Sequence, residues 1–221
     1  MVQKLPESSG PQSYGKLFIL AGSSGSGKTT LTREIITKLK DNYNCELSRV
    51  ITYTTKSPRI GELSAQDYHY IGEIEFKVKI AQNFFLEWSC AYGAYYGSPR
   101  DILEKLKLGS SLILIVDQAG VQSIYNFIQA NYITKDQVAL KNSLIYIWIE
   151  TELVTLEQRL RARSTESETD LQQRLSLAQQ EILIKREKLS AIFNYSVLNN
   201  NCLKSAICDL EQVFKLELAL K

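Results

Sequence analysis

Gly22-Ser23-Ser24-Gly25-Ser26-Gly27-Lys28-Thr29 has the spacing G-x-x-x-x-G-K-T. It lies between the apolar run Leu17-Phe18-Ile19-Leu20-Ala21 and a helix-forming segment that starts at Thr30. Glycines at these points let backbone N–H groups curl around phosphate oxygens. Lys28 brings a point charge to β/γ-phosphates, and the Thr29 hydroxyl can join a Mg²⁺ shell. A chance glycine-rich turn would need neither the strand before it nor the helix after it. The stretch reads as a P-loop, with Gly22 to Thr30 holding the phosphates of a nucleoside triphosphate and Thr29 the metal.

Working outward, Thr30 to Leu39 has Leu31, Ile35, Ile36 and Leu39 at helical spacing, and Leu47 to Tyr53 alternates as one strand. Leu112 to Val116 and Leu144 to Ile149 read as buried parallel strands. Helical patterns follow them at Val121 to Ala130 and Glu152 to Arg161. Strands alternating with helices predict a doubly wound α/β fold around a parallel sheet. Residues 1–15 read as a flexible leader, 16–51 and 99–221 as the core.

Between the core segments, residues 52–98 are rich in tyrosine and glycine, with short strand candidates at 68–71, 84–87 and 94–96. This stretch is expected to be an inserted subdomain. A polar, arginine-rich break at 159–174 suits a mobile lid. Asp170 or Thr169 caps the next helix, whose apolar face is Leu171, Leu175, Ala178, Ile182 and Leu189. Tyr195 to Asn199 reads as a last strand and Ser205 to Leu218 as a final helix.

Composition narrows the class. Among 221 residues, 26 Lys and Arg stand against 24 Asp and Glu. That balance gives no field for nucleic acid or a membrane surface. Four scattered cysteines and one histidine, His69, supply a metal site poorly, so reduced thiols and a cytoplasmic location are expected. No stretch is apolar enough to span a bilayer. Whether the chain works as a monomer or a homo-oligomer is left open.

A P-loop alone leaves GTPases, ATPases and small kinases open. The base-reading Asn/Thr-Lys-x-Asp of GTPases is missing, and a large motor needs more chain. A compact kinase remains. Lys56 and Arg59 flank Pro58 and suit an acceptor phosphate; Tyr68 and Tyr96 bring hydroxyls that donate without adding charge. Glu87 and Asp117 are carboxylates at the ends of apolar segments. A carboxylate accepts two parallel hydrogen bonds and so matches the N1–H and 2-amino edge of guanine.

In order along the chain stand T-x-T-T-K-S-P-R-x-G-E (52–62), D-Y (67–68), F-L-E-W (85–88), Y-Y-G-S (95–98), D-x-x-G (117–120) and R-x-R-S-T-E-S-E (161–168). With the P-loop in front, this series resembles the guanylate kinases over residues 16 to about 215. The resemblance implies a P-loop NTPase fold, ATP with Mg²⁺ as donor, and GMP as acceptor. It implies that Lys56, Arg59, Tyr68 and Tyr96 hold the GMP phosphate, and that Thr52, Glu87, Ser98 and Asp117 read guanine. Glu62 matches an acidic position beside that site. With Lys28 and Arg59, the lid arginines Arg163 and Arg174 form the catalytic set. Arg159 falls on the ATP side and Asn199 near the adenine.

The chain departs from the family pattern in five places. Ile115 stands for an aspartate, Ala119 for a glutamine, Lys56 for an arginine, Thr52 for a serine and Ala65 for a glycine. Loss of the carboxylate at 115 implies altered efficiency or metal dependence. It also leaves two rivals open: a non-catalytic guanylate-kinase-like binding module, and a kinase of the same build for another phosphorylated acceptor.

Overall fold

The computed structural model describes residues 14–58, 61–91, 93–131, 135–162 and 168–220. Arg59, Arg163, most of the expected leader and the middle of the expected lid lie outside the described residues. Along the chain come β1 (Leu17–Ala21), α1 (Lys28–Tyr43), β2 (Ser48–Arg49), β3 (Thr52–Thr54) and β4 (Tyr68–Tyr70). They are followed by α2 (Glu73–Ala81), β5 (Phe85–Ala91), β6 (Ala94–Pro99), α3 (Ile102–Lys107) and β7 (Leu112–Ile115). Then come α4 (Gln118–Asn131), α5 (Lys135–Lys141), β8 (Leu144–Glu150), α6 (Leu153–Ala162) and α7 (Glu168–Ile184). A π-helical turn at Lys185–Leu189, β9 (Tyr195–Leu198) and α8 (Leu203–Leu218) complete the order.

Five parallel strands in the order β2-β7-β1-β8-β9 form the core sheet. Because strand side chains alternate between faces, β1 sends Leu17, Ile19 and Ala21 one way and Phe18 and Leu20 the other. The first face is covered by α3 and α4 through Ile102, Leu106, Val121, Ile124 and Ile128. The second is covered by α1 and α8 through Leu31, Ile35, Leu39, Leu210 and Phe214, with Phe18 stacked on Phe214 at 3.9 Å. Each such side chain contributes roughly 1.5–3 kcal/mol by leaving water. Both faces are therefore closed, as expected for a doubly wound sheet. From β1 the chain builds out to β7 on one side and β8 on the other, which opens a crevice at the carboxyl end of β1.

A second sheet, β4-β3-β6-β5, comes from the inserted stretch and mixes a parallel β3–β4 pair with antiparallel neighbours. Here the expectation of one strand over Leu47 to Tyr53 is corrected. Val50 N–H still bonds to Ile113 O at 2.8 Å in the core sheet, whereas Thr52 pairs with Tyr68 in the second. One alternating run serves two sheets because period 2 records which face is buried, not which strand lies beside it.

Other boundaries moved for local reasons. The leader ends earlier than expected: Gly15 N–H donates to Leu106 O at 2.8 Å and Tyr14 packs on the core. Helices α2, α3 and α5 escaped the periodicity reading. In α2 only Phe76 is buried, and the helix leans on Lys77–Glu73 and Lys79–Glu75 ion pairs at i,i+4. Thr169 and Asp170 lie within α7 rather than at a cap, and the helix widens into the π turn before Leu189. Ala65 sits at φ 60°, a left-handed conformation in which a glycine is unstrained.

Candidate active site

The crevice at the end of β1 continues into a cleft between the core and second sheets. Its donor wall holds Gly22, Ser24, Gly25, Gly27, Lys28, Thr29 and Thr30. Gly27 forms the N-cap of α1 at φ 90°, and a Cβ there would stand 2.5 Å from the Asn199 amide nitrogen. Only glycine satisfies both the left-handed turn and that approach. The loop thereby hands its N–H groups to the positive end of a 16-residue helix. Lys28 Nζ donates to Gly22 O at 2.6 Å and to Ser23 O at 3.0 Å, so its charge is held over the loop.

Ser23 and Ser26 are buried and anchor the loop from within. Asn199, expected near the adenine, lies directly after β9 and against the loop. It is 1 % exposed and its amide donates to Ser26 O at 2.7 Å, which makes it a brace beneath the loop. Arg159 on α6 donates to Asn200 O behind the loop, and burial pushes its guanidinium below the ordinary value. Arg174 on α7 reaches the loop itself, donating to Ser24 Oγ at 3.1 Å. Arg161 bridges Glu157 on α6 and Glu168 on α7, joining the two arms that flank 163–167.

The acceptor wall comes from the second sheet and the end of β7. Thr52, Glu87 and Ser98 are buried on β3, β5 and β6, and Ser98 Oγ donates to Glu87 Oε1. Asp117 accepts from Ser89 Oγ at 2.6 Å and from the Gly120 N–H at 2.7 Å. The D-x-x-G spacing has a physical reason. A Cβ on Gly120 would meet Glu87 Oε2 and Val116 Cβ, each at 3.0 Å, so a larger residue would displace the carboxylate. Burial, then the nearby Asp117 charge, pushes the Glu87 carboxyl up to about 7, against the opposing pull of Ser98.

Tyr68 and Tyr96 meet edge to face at 6.3 Å and both line the cleft. Lys56 Nζ stands 4.7 Å from the Tyr68 ring centre and 5.4 Å from that of Tyr70. It is ion-paired with Glu62, which also accepts from Tyr70 OH at 2.8 Å. Glu62 thus holds the cation that Lys56 brings to the cleft.

The sequence reading gave no role to four polar residues of the cleft: Arg49, Asp67, Ser89 and Glu181. Arg49 donates to Asp67 O at 3.0 Å and lies 5.8 Å from the Tyr68 ring centre. Its signal was hidden by the reading of β2 and β3 as one strand. Glu181 is one of several polar residues on α7, and no motif marks it.

Residues 14–217 match the family model for guanylate kinase. A guanylate kinase of Caulobacter vibrioides is 32 % identical over 92 % of this chain and 85 % of its own. One from Synechococcus sp. is 34 % identical over 90 % and 97 %. The crystal structure of guanylate kinase from Anaplasma phagocytophilum, 21 % identical, superposes with a TM-score of 0.67 over 93 % of this chain and 87 % of that one, a match of fold. The P-loop, the cleft and these matches agree: the chain belongs to the guanylate kinase family of nucleoside monophosphate kinases.

Proposed function

We propose that the cleft transfers the γ-phosphoryl group of ATP to GMP, giving ADP and GDP. The supporting observation is the pairing of opposite walls: a lysine-bearing phosphate loop faces two hydrogen-bonded carboxylates, the buried Glu87 and the half-buried Asp117. The core at 16–51 and 99–221 takes ATP, the insertion at 52–98 takes GMP, and the 159–174 segment closes over both. Lys56, Arg59, Tyr68 and Tyr96 hold the acceptor phosphate, with Lys56 exchanging Glu62 for it. Thr52, Glu87, Ser98 and Asp117 read guanine. Arg163 and Arg174 neutralise charge on the phosphoryl group in flight.

No side chain has to act as general base, because the attacking GMP phosphate oxygen is already an anion. Catalysis then rests on alignment and on fixed charge in a site from which water is excluded. Mg²⁺ suits the donor side. It is typically held by one or two protein oxygens with substrate phosphates and water, and the exposed Thr29 hydroxyl lines the cleft beside Lys28. A Mg²⁺ held there would supply positive charge to offset the negative charge of the donor's phosphates. Among the described residues no helix is long and apolar enough to cross a membrane, and all four cysteines are free thiols. Both observations support a cytoplasmic location.

Guanine recognition has a pH signature. The Glu87 carboxyl rises from 4.5 to about 7 on folding. The unliganded protein is therefore expected to lose stability as pH rises across that window, by on the order of 3 kcal/mol in full. Guanine donors stabilise the ionised carboxylate, so GMP binding at pH 6 should release most of a proton from Glu87. Calorimetry in two buffers of different ionisation enthalpy measures that release. The GMP phosphate titrates in the same range, so the difference between wild type and Glu87→Gln carries the result. Equal proton release by both would remove Glu87 from the guanine site.

A further inference from the structure

Glu181 lines the cleft, yet the roles assigned above leave it without a task. It projects from α7 two turns after Arg174, so that one face of the helix carries both side chains toward the P-loop. Its Oε2 is buried and has no hydrogen-bond partner. The Ser23 hydroxyl is buried in the same condition, and its influence favours the charged carboxylate. Gln118 Nε2 donates to the Glu181 carbonyl at 3.0 Å and fastens this point of α7 to the start of α4.

The other groups on this side leave little ambiguity. Ile115 and Val116, at the end of β7, bring only hydrocarbon to the cleft. Asp117 already accepts from Ser89 with one oxygen and from Gly120 with the other. Burial raises the Glu181 carboxyl, and the Lys28 ammonium is the strongest influence pulling it back toward the charged form. An anion fixed next to a phosphate loop repels a bare nucleotide and favours one that arrives with a cation.

We propose that Glu181 is a positioning residue of the donor site, its carboxylate facing the metal of the bound metal–nucleotide complex and orienting it through coordinated water. In that role it supplies, from α7, the charge that Ile115 does not bring from β7. The proposal rests on the donor-site reading of the P-loop but not on GMP as the acceptor.

The test is calorimetric binding of ADP to the full chain, with and without Mg²⁺, in wild type, Glu181→Gln and Glu181→Asp. ADP has no γ-phosphoryl group to transfer, so turnover does not enter the readout. Glu181→Gln should weaken Mg·ADP about tenfold, the lower end of what loss of an outer-shell metal partner costs. It should leave metal-free ADP binding unchanged or tighter. Glu181→Asp keeps the charge and should fall between the two for Mg·ADP; it also carries the comparison if the glutamine variant melts early. Mn²⁺ in place of Mg²⁺ should give an altered electron paramagnetic resonance spectrum for the ADP complex of Glu181→Gln. Equal weakening of both ADP forms would mark Glu181 as a structural brace and overturn the proposal. Unchanged Mg·ADP affinity would overturn it as well. A wild-type chain that failed to phosphorylate GMP would refute the acceptor assignment and leave these binding ratios standing.

Discussion

Replacing Lys28 with alanine is expected to lower kcat by about a thousandfold, roughly 4 kcal/mol of transition-state stabilisation. In the unliganded fold Lys28 Nζ bonds to the Gly22 and Ser23 carbonyls, so its charge is already stationed over the phosphate loop. A triphosphate exchanges those carbonyl partners for phosphate oxygens. Alanine removes the charge where negative charge shifts between β- and γ-phosphates, and no other residue of the loop at 22–30 is charged. The fold itself should survive. Lys28 is half-buried at a helix start, and the carbonyls it leaves can turn to water, a loss of about 1 kcal/mol. Steady-state kinetics with a melting curve on the same sample separates the two effects. Near-normal kcat in a folded variant would reject the P-loop as the donor site.

Replacing Arg174 with alanine should also cost about a thousandfold in kcat, the low end for an arginine that stabilises phosphoryl transfer. Arg174 comes from α7 yet already touches the loop through Ser24 Oγ, which places its guanidinium at the donor edge of the cleft. If its task is to meet charge that develops between the nucleotides, KM for ATP should change little beside the fall in kcat. Lysine at 174 keeps the charge but loses the planar fork and should recover only part of the rate. A variant that raised KM with kcat intact would show that Arg174 merely binds ATP.

How much the sequence revealed depended on how local the chemistry is. The P-loop was legible because its work is done by consecutive backbone groups whose glycines and lysine follow one another in the chain. Glu87, Ser98 and Asp117 were found through short strings, although the buried contact that joins Glu87 to Ser98 and to the Gly120 face exists only in the fold. The run at 47–53 misled because alternation cannot say which sheet a residue joins, and Arg49 was lost with it. The bond that ties Asn199 to Ser26 was hidden for a related reason: it depends on where β9 lies in the sheet, which no residue pattern encodes. Glu181 had no signal at all, since its interest lies in burial and in an oxygen without a partner.

If one wall of this cleft holds a triphosphate and the other reads guanine, the choice of acceptor nucleotide follows from the geometry. The most direct measurement is a coupled assay of ADP formation with ATP and Mg²⁺, offered GMP, AMP, CMP and UMP in turn. Rapid turnover is expected with GMP, and turnover at least about a hundredfold slower with each of the others, since a buried carboxylate left without its guanine donors costs several kcal/mol. Equal use of AMP would contradict the reading of Glu87 and Asp117, and GMP binding without turnover would contradict the claim that this chain is a kinase.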